Sequence, residues 1–183
     1  MTGYLKAIVA VALLFPAASA SAMDCKMLRT IVGAAGQDFE NIKGPWESDW
    51  EGWVAKIVPP GSEKCRIADA ESGGSSLSCQ YLGLPTADAA IDKSDKLGRM
   101  VRACLSAQGD VEEKFLQGGV QEDNQYYMSK SHGTYVFDLD NGAVRIVVGS
   151  ELHRSYDPKE TIHSANFCVV TKPNLKRKPR CPT

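Results

Sequence analysis

The six cysteines of this 183-residue chain constrain its fold more than any other feature, because their number is even and all of them follow residue 22. They are Cys25, Cys65, Cys79, Cys104, Cys168 and Cys181. No two of them form a Cys-x-x-Cys pair, which argues against a zinc ribbon and against a thioredoxin-like redox motif. If the chain reaches an oxidising compartment, three disulfides are therefore the first expectation.

The first 22 residues have the pattern of a cleavable signal peptide. Lys6 precedes an apolar run of 12 residues, 7–18, and small residues follow at Ala20 and Ala22. This order matches the basic, apolar and small-residue regions of a secretory signal, and the apolar run is too short to span ~30 Å of hydrocarbon. We therefore predict a signal peptide over residues 1–22, and the periplasm or the extracellular space as the location.

Charge divides the remaining 161 residues into a body and a tail. Residues 23–171 contain 15 basic and 22 acidic residues, a net charge of −7, whereas residues 172–183 contain five basic residues and no acidic one. This length suits one domain. We predict a single domain over 23–171 and a basic C-terminal tail over 172–183 that could touch an anionic membrane surface. A nucleic-acid partner is not expected, because the body is acidic and export removes the opportunity.

Two amphipathic helices are predicted from apolar residues at helical spacing, over residues 25–39 and 86–108. Asp24 and Thr86 stand at their N-cap positions. Side-chain oxygens of these residue types accept hydrogen bonds from the free N–H groups of a first helical turn. Each helix is therefore expected to begin at a defined residue and to bury one face.

Short segments with alternating apolar residues predict the strands. They are residues 53–58, 64–70 and 75–82 before the second helix, and 112–117, 125–129 (the weakest), 134–140, 143–149 and 164–171 after it. Asn141-Gly142 is a strong hairpin signal, and it sets Asp138 opposite Arg145. The predicted fold is α+β, with two helices packed on an antiparallel sheet in the order helix, three strands, helix, four or five strands.

Geometry favours one pairing of the six cysteines. The favoured pairs are Cys65–Cys79, Cys25–Cys104 and Cys168–Cys181. The first pair is equidistant from the predicted turn between two strands, so its members would oppose each other in a hairpin. The second joins the buried sides of the two helices, which a shared sheet would bring together. The third pair is what remains, and it would tie the basic tail to the last strand.

The three tryptophans of the chain, Trp46, Trp50 and Trp53, fall within eight residues and alternate with acidic residues. Large flat rings beside carboxylates can stack on a sugar or hold a cation. A structural interpretation is also open, in which Trp53 enters the core while Trp46 and Trp50 cover the edge of the sheet. We take the three tryptophans as the candidate binding surface.

The other candidates for chemistry are weaker. The histidines, His132, His153 and His163, lack the spacing of metal ligands, and no phosphate loop or dinucleotide motif occurs. His132 beside Ser131 could form a hydrolytic dyad, but a Gly-x-Ser-x-Gly elbow is missing. The segment 138–142 begins like a calcium loop and has no closing glutamate. We therefore predict no catalytic residue, no metal and no cofactor.

Residues 25–148 resemble a type of small exported bacterial domain of unassigned function. The segments that carry this resemblance are residues 39–44, Pro60-Gly61, Cys65-Arg66-Ile67, Cys79-Gln80-Tyr81 and Cys104-Leu105. At fold level, the order of helices and strands is similar to that of type III secretion chaperones. The segment 131–135 also resembles the Ser-Gly-x-x-Tyr loop of some periplasmic lysozyme inhibitors, with its glycine displaced by one residue. None of these resemblances supplies a catalytic residue.

Together these features predict an exported, disulfide-stabilised and non-enzymatic binding module of the cell envelope, whose partner is an envelope protein or polymer. Two alternatives stay open. One is a toxin-neutralising protein, such as an immunity protein or a lysozyme inhibitor. The other is an envelope hydrolase that uses Ser131, His132 or a pair of carboxylates.

Overall fold

The computed structural model describes residues 23–69, 73–106, 111–117, 120–124, 127–154, 161–172 and 181. The predicted signal peptide and most of the predicted basic tail lie outside these residues. Within them, neither α-helix is long and apolar enough to cross a membrane.

Two α-helices and nine strands make up the described part of the chain. The helices are α1, Cys25–Ala35, and α2, Ala87–Leu105. The strands are β1, Lys43–Glu47; β2, Gly52–Ala55; β3, Lys64–Asp69; β4, Ser75–Leu84; β5, Val111–Gln117; β6, Val120–Asn124; β7, Tyr127–Leu139; β8, Val144–Arg154; and β9, Thr161–Thr171. Single helical turns lie at Glu40–Ile42, Ser48–Trp50 and Asp140–Gly142.

All nine strands belong to one antiparallel sheet. Their order is β1-β2-β3-β4-β9-β8-β7-β5, and β6 also pairs with β7. The last described strand, β9, thus lies in the middle of the sheet, between β4 and β8. The α+β class and the antiparallel sheet are as predicted from the sequence, and so is the register that sets Asp138 opposite Arg145.

The predicted strand count and order were wrong in the first half of the chain, where four strands rather than three precede α2. Two strands were missed. One is β6, whose neighbour β7 also includes residues 127–129 of the predicted strand 125–129; the other is β1, which contains Gly44 and Pro45. Proline is tolerated on an edge strand, because the backbone N–H groups on the outer side of such a strand have no neighbouring strand to which they could donate. The helix α1 also ends earlier than predicted, because Asp38 and Phe39 have positive φ angles of 47° and 62°.

The core lies between the two helices and one face of the sheet, here called the helix face. Helix α2 packs across β8 and β9, and α1 contacts both α2 and β9. The predicted caps form: the Met27 N–H donates to Asp24 Oδ1 at 2.7 Å, and the Ala89 N–H donates to Thr86 Oγ1 at 3.1 Å. Gly98 lets α2 approach closely, since a Cβ there would lie 2.7 Å from the Tyr135 ring.

Three disulfides cross-link this architecture, and they are the three pairs that the sequence favours. Cys25–Cys104 joins α1 to α2, with the Cα atoms 5.1 Å apart. Cys65–Cys79 joins directly opposed residues of β3 and β4. Cys168–Cys181 fixes residue 181 to the middle of β9, on the face of the sheet opposite the helices, where Cys181 packs against Val147. The protein is therefore a disulfide-stabilised α+β domain.

One buried polar group in the core gives a prediction for alkaline pH. The Tyr81 side chain is 1% exposed, and its hydroxyl has no hydrogen-bond partner among the described residues. The Lys93 Nζ lies over the ring, 4.3 Å from its centroid. Burial raises the pKa of Tyr81 to about 12, because the charged phenolate is poorly solvated in the core.

We expect Tyr81 to make unfolding easier as the pH rises from about 10 to 12. The unfolded chain loses the proton near pH 10 while the folded chain keeps it, so this stabilisation is complete below pH 10 and falls by about 1 kcal/mol at pH 11. Tyr81→Phe keeps the ring and removes the ionisation. Urea unfolding at pH 8 and pH 11 should therefore show a smaller loss in Tyr81→Phe than in the wild type; equal losses in the two proteins would contradict the prediction.

Candidate functional site

The structure separates the three tryptophans onto two faces of the sheet. Trp46 and Trp53 are directly opposed across β1 and β2, and their ring centroids are 4.6 Å apart in an edge-to-face contact. Trp53 packs against the core on the helix face, and the Lys43 Nζ lies 4.0 Å from its ring centroid. These two tryptophans follow the structural interpretation, in which one enters the core and the other covers the sheet edge.

Trp50 lies on the other face because the chain reverses between β1 and β2. The helical turn Ser48–Trp50 is followed by Glu51, whose φ of 48° is left-handed. The next residue must be glycine, since a Cβ at Gly52 would lie 2.8 Å from the Ile67 carbonyl oxygen. This tight reversal places the Trp50 ring over β3, where the Arg66 Cζ is 3.7 Å from the ring centroid.

The stacked Trp50 and Arg66 border a small cavity, which we call the outer-face pocket. Its volume is about 80 Å³. It is lined by Trp50, Gly52, Lys64, Arg66, Ala68, Ser76, Ser78 and Gln80. Strand alternation explains this lining, because the intervening residues of β3 and β4 point into the core, as Cys65, Ile67 and Leu77 do.

The outer-face pocket is cationic. Lys64 and Arg66 line it, and its described lining contains no acidic residue. Lys64 is paired from outside the lining by Glu47, whose two carboxylate oxygens each lie 3.1 Å from the Lys64 Nζ. The Arg66 Nε is buried and has no hydrogen-bond partner in the described part of the chain. A buried donor left unpaired costs about 1–3 kcal/mol, so an acceptor that entered the pocket would relieve this cost.

A second and larger cavity, of about 640 Å³, lies on the same face toward β5 and β7. It is lined by Val111, Glu112, Lys114, Asp138, Asn141, Gly142 and Arg145. The Arg145 guanidinium donates to Asp138 through Nε at 2.6 Å and Nη2 at 2.9 Å, and the Lys114 Nζ lies 2.8 Å from Glu112 Oε1. Since each charged lining residue already has a partner, this cavity offers less to a ligand than the outer-face pocket does.

Of the other sequence candidates, the segment 138–142 contributes Asp138, Asn141 and Gly142 to the second cavity, whereas His163 is not among the described lining residues of either cavity. His163 is half-buried on β9, and its Nδ1 has no partner among the described residues. The side chains of Ser131, His132 and His153 lie outside the described part, so the proposed dyad stays a prediction. No group of three or more His, Cys, Asp or Glu residues suited to a metal ion occurs within the described residues.

Of the residues that line the outer-face pocket, the sequence analysis named Trp50 as a binding candidate and missed the residues of β3 and β4. Lys64, Arg66, Ser78 and Gln80 were not among the candidate residues named from the sequence. The available signal was their alternation with core residues in β3 and β4, which places cations and amide or hydroxyl groups on one face. The tryptophans were grouped by their spacing in the sequence, and that grouping hid the difference in face.

No protein-family model matches this chain, and no curated protein matches it. The resemblances to small exported bacterial domains, to type III secretion chaperones and to lysozyme inhibitors therefore stay predictions. What the structure establishes is the class: an α+β domain with three disulfides.

Proposed function

We propose that this protein is an exported, non-enzymatic binding module of the cell envelope, and that it takes its partner at the outer-face pocket. The leader-like residues 1–22 and the six paired cysteines support export, because disulfides persist in oxidising compartments. The partner is a protein or a polymer of the envelope. The membrane surface is a further contact through the basic residues of 172–183.

The observation that carries this proposal is the exposed Trp50 stacked on Arg66 beside a cavity. The Trp50 side chain is 58% exposed although it is large and apolar. Tryptophan and arginine are the residue types that most often dominate binding energy. The stack already holds both side chains in place. Trp50 and Arg66 would therefore lose less rotamer entropy when a partner binds them.

The lining of the outer-face pocket supports binding rather than catalysis. Its hydroxyl groups come from Ser76 and Ser78, and neither a histidine nor a carboxylate is among the lining residues that the structure describes. The Ser76 hydroxyl donates to the Ala68 carbonyl at 3.3 Å rather than to a base. Nucleophilic catalysis by serine needs a base within hydrogen-bond reach.

We expect Trp50→Ala to weaken capture of the partner by roughly thirtyfold or more, since truncation of a central tryptophan commonly costs at least about 2 kcal/mol. Trp46→Ala is the matched control, because Trp46 is 51% exposed but belongs to the helix face. The measurement is cross-linked capture from envelope extract, with thermal unfolding of both variants. Equal loss in the two variants, or no loss in either, would remove the outer-face pocket from the proposal.

The identity of the captured partner separates the alternatives. A structural envelope protein or polymer supports the binding module, whereas a toxin or a lysozyme would point to the toxin-neutralising role. Turnover of peptidoglycan or ester substrates by the purified protein, abolished by His132→Ala, would favour the hydrolase instead.

A further inference from the structure

We propose that the outer-face pocket binds a carboxylate group of its ligand, and that Glu47 competes with this ligand for Lys64. This inference rests on the proposed function, because it concerns the same site. It adds the chemical group that the ligand presents, and it identifies Glu47 as a residue of this protein that lowers the affinity for that ligand.

Charge is the first argument. The body of the protein carries a net charge of −7, yet the outer-face pocket is lined by Lys64 and Arg66 without an acidic residue. Both cations lie on β3, two residues apart, and so project from the same face of the strand. A local cationic surface on an acidic body attracts an anionic group and orients it toward the pocket.

Arg66 provides the second argument. Its guanidinium is held against the Trp50 ring, and its Nε is a buried donor without a described partner. A guanidinium fixed in this way presents a planar row of N–H groups, which matches the two oxygens of a planar carboxylate. A carboxylate in the pocket would supply the acceptor that Arg66 lacks.

Glu47 provides the third argument, because its carboxylate already occupies a position beside Lys64 that a ligand carboxylate could take. Both of its oxygens lie 3.1 Å from the Lys64 Nζ, so a carboxylate already fits beside one of the two cations. The pair is accessible to water, with Lys64 49% and Glu47 34% exposed. Exposed ion pairs are weak and easily exchanged, and a ligand carboxylate that also reaches Arg66 can therefore displace Glu47 from Lys64.

The test uses fluorescently labelled poly-glutamate as the probe, with the full-length protein and fluorescence anisotropy as the readout. We expect Arg66→Met to weaken binding about tenfold or more, because hydrogen bonds to charged groups are lost. Glu47→Gln should tighten binding about two- to fivefold, because the competitor is removed. Glu40→Gln is the matched control: it also deletes an acidic partner of a lysine, but that lysine, Lys43, is not among the described residues that line the pocket.

The outcomes are distinct. Tighter binding in Glu47→Gln than in Glu40→Gln, with loss in Arg66→Met, supports the inference. Equal tightening in the two glutamine variants would show a general charge effect and overturn the competitor role. Tighter binding of polyphosphate than of poly-glutamate would overturn the carboxylate assignment. Absence of poly-glutamate binding, with Trp50-dependent capture intact, would overturn this inference and leave the proposed function standing.

Discussion

Replacing both Cys25 and Cys104 with alanine should lower the free energy of unfolding by about 4.5 kcal/mol, the larger of the two disulfide effects we compare. The bond joins residues 79 positions apart, so it removes much conformational freedom from the unfolded chain. It also ties α1 to α2, and these two helices pack on the same face of the sheet. Urea unfolding at equilibrium measures this loss.

The matched control is the double replacement of Cys65 and Cys79 with alanine. This bond spans 14 positions, and the same entropy relation gives a loss of about 3 kcal/mol. The two double variants remove the same chemical groups and leave no unpaired thiol. An equal or larger loss in the second variant would contradict the dependence on loop length, and would mean that packing around the sulfur atoms outweighs chain entropy.

Asp138→Ala should cost about 3–5 kcal/mol, because it leaves the Arg145 guanidinium buried without its partner. The side chains of this pair are 8% and 9% exposed, and two hydrogen bonds join them. The structural context is the hairpin of β7 and β8, where the two residues are directly opposed. The free energy of unfolding in urea measures the loss.

Glu113→Ala is the control for this prediction, since it removes the acidic partner of Arg102 in a more exposed ion pair. Its cost should be below about 1 kcal/mol. A second variant, Asp138→Leu with Arg145→Met, should recover most of the stability, because well-packed apolar residues often replace a buried ion pair at little cost. A similar loss in Asp138→Ala and Glu113→Ala would contradict the idea that burial makes this pair important.

Local pairing in this fold could be predicted from sequence because neighbouring residues specify it. Asn141-Gly142 marks the turn, and the alternation around it sets Asp138 against Arg145. Cys65 and Cys79 are likewise placed by their equal distance from one turn. In these cases a short loop fixes the register, and apolar alternation fixes the face.

The pairing of strands that are distant in sequence, and the residues of the candidate site, were harder to predict from the sequence than local pairing was. Alternation in β4 and β9 identifies each as a strand but does not say that they pair. The edge strand β1 was missed because Pro45 breaks the usual pattern. Trp50 was grouped with Trp46 because the two lie close in the sequence. The left-handed backbone conformation of Glu51 reverses the chain, so that Trp50 lies on the opposite face of the sheet. A positive φ at a residue other than glycine is uncommon, so this reversal of the chain could not be predicted from the sequence.

The central place of β9 has a consequence for biosynthesis. Because residues 161–171 hydrogen-bond to β4 on one side and β8 on the other, the sheet cannot be completed while those residues are still inside the ribosome. A nascent chain of this topology keeps β1–β4 apart from β5–β8 until residues 161–171 have emerged, because β9 lies between these two groups of strands. The Cys168–Cys181 disulfide cannot form before that point either, because Cys168 belongs to β9.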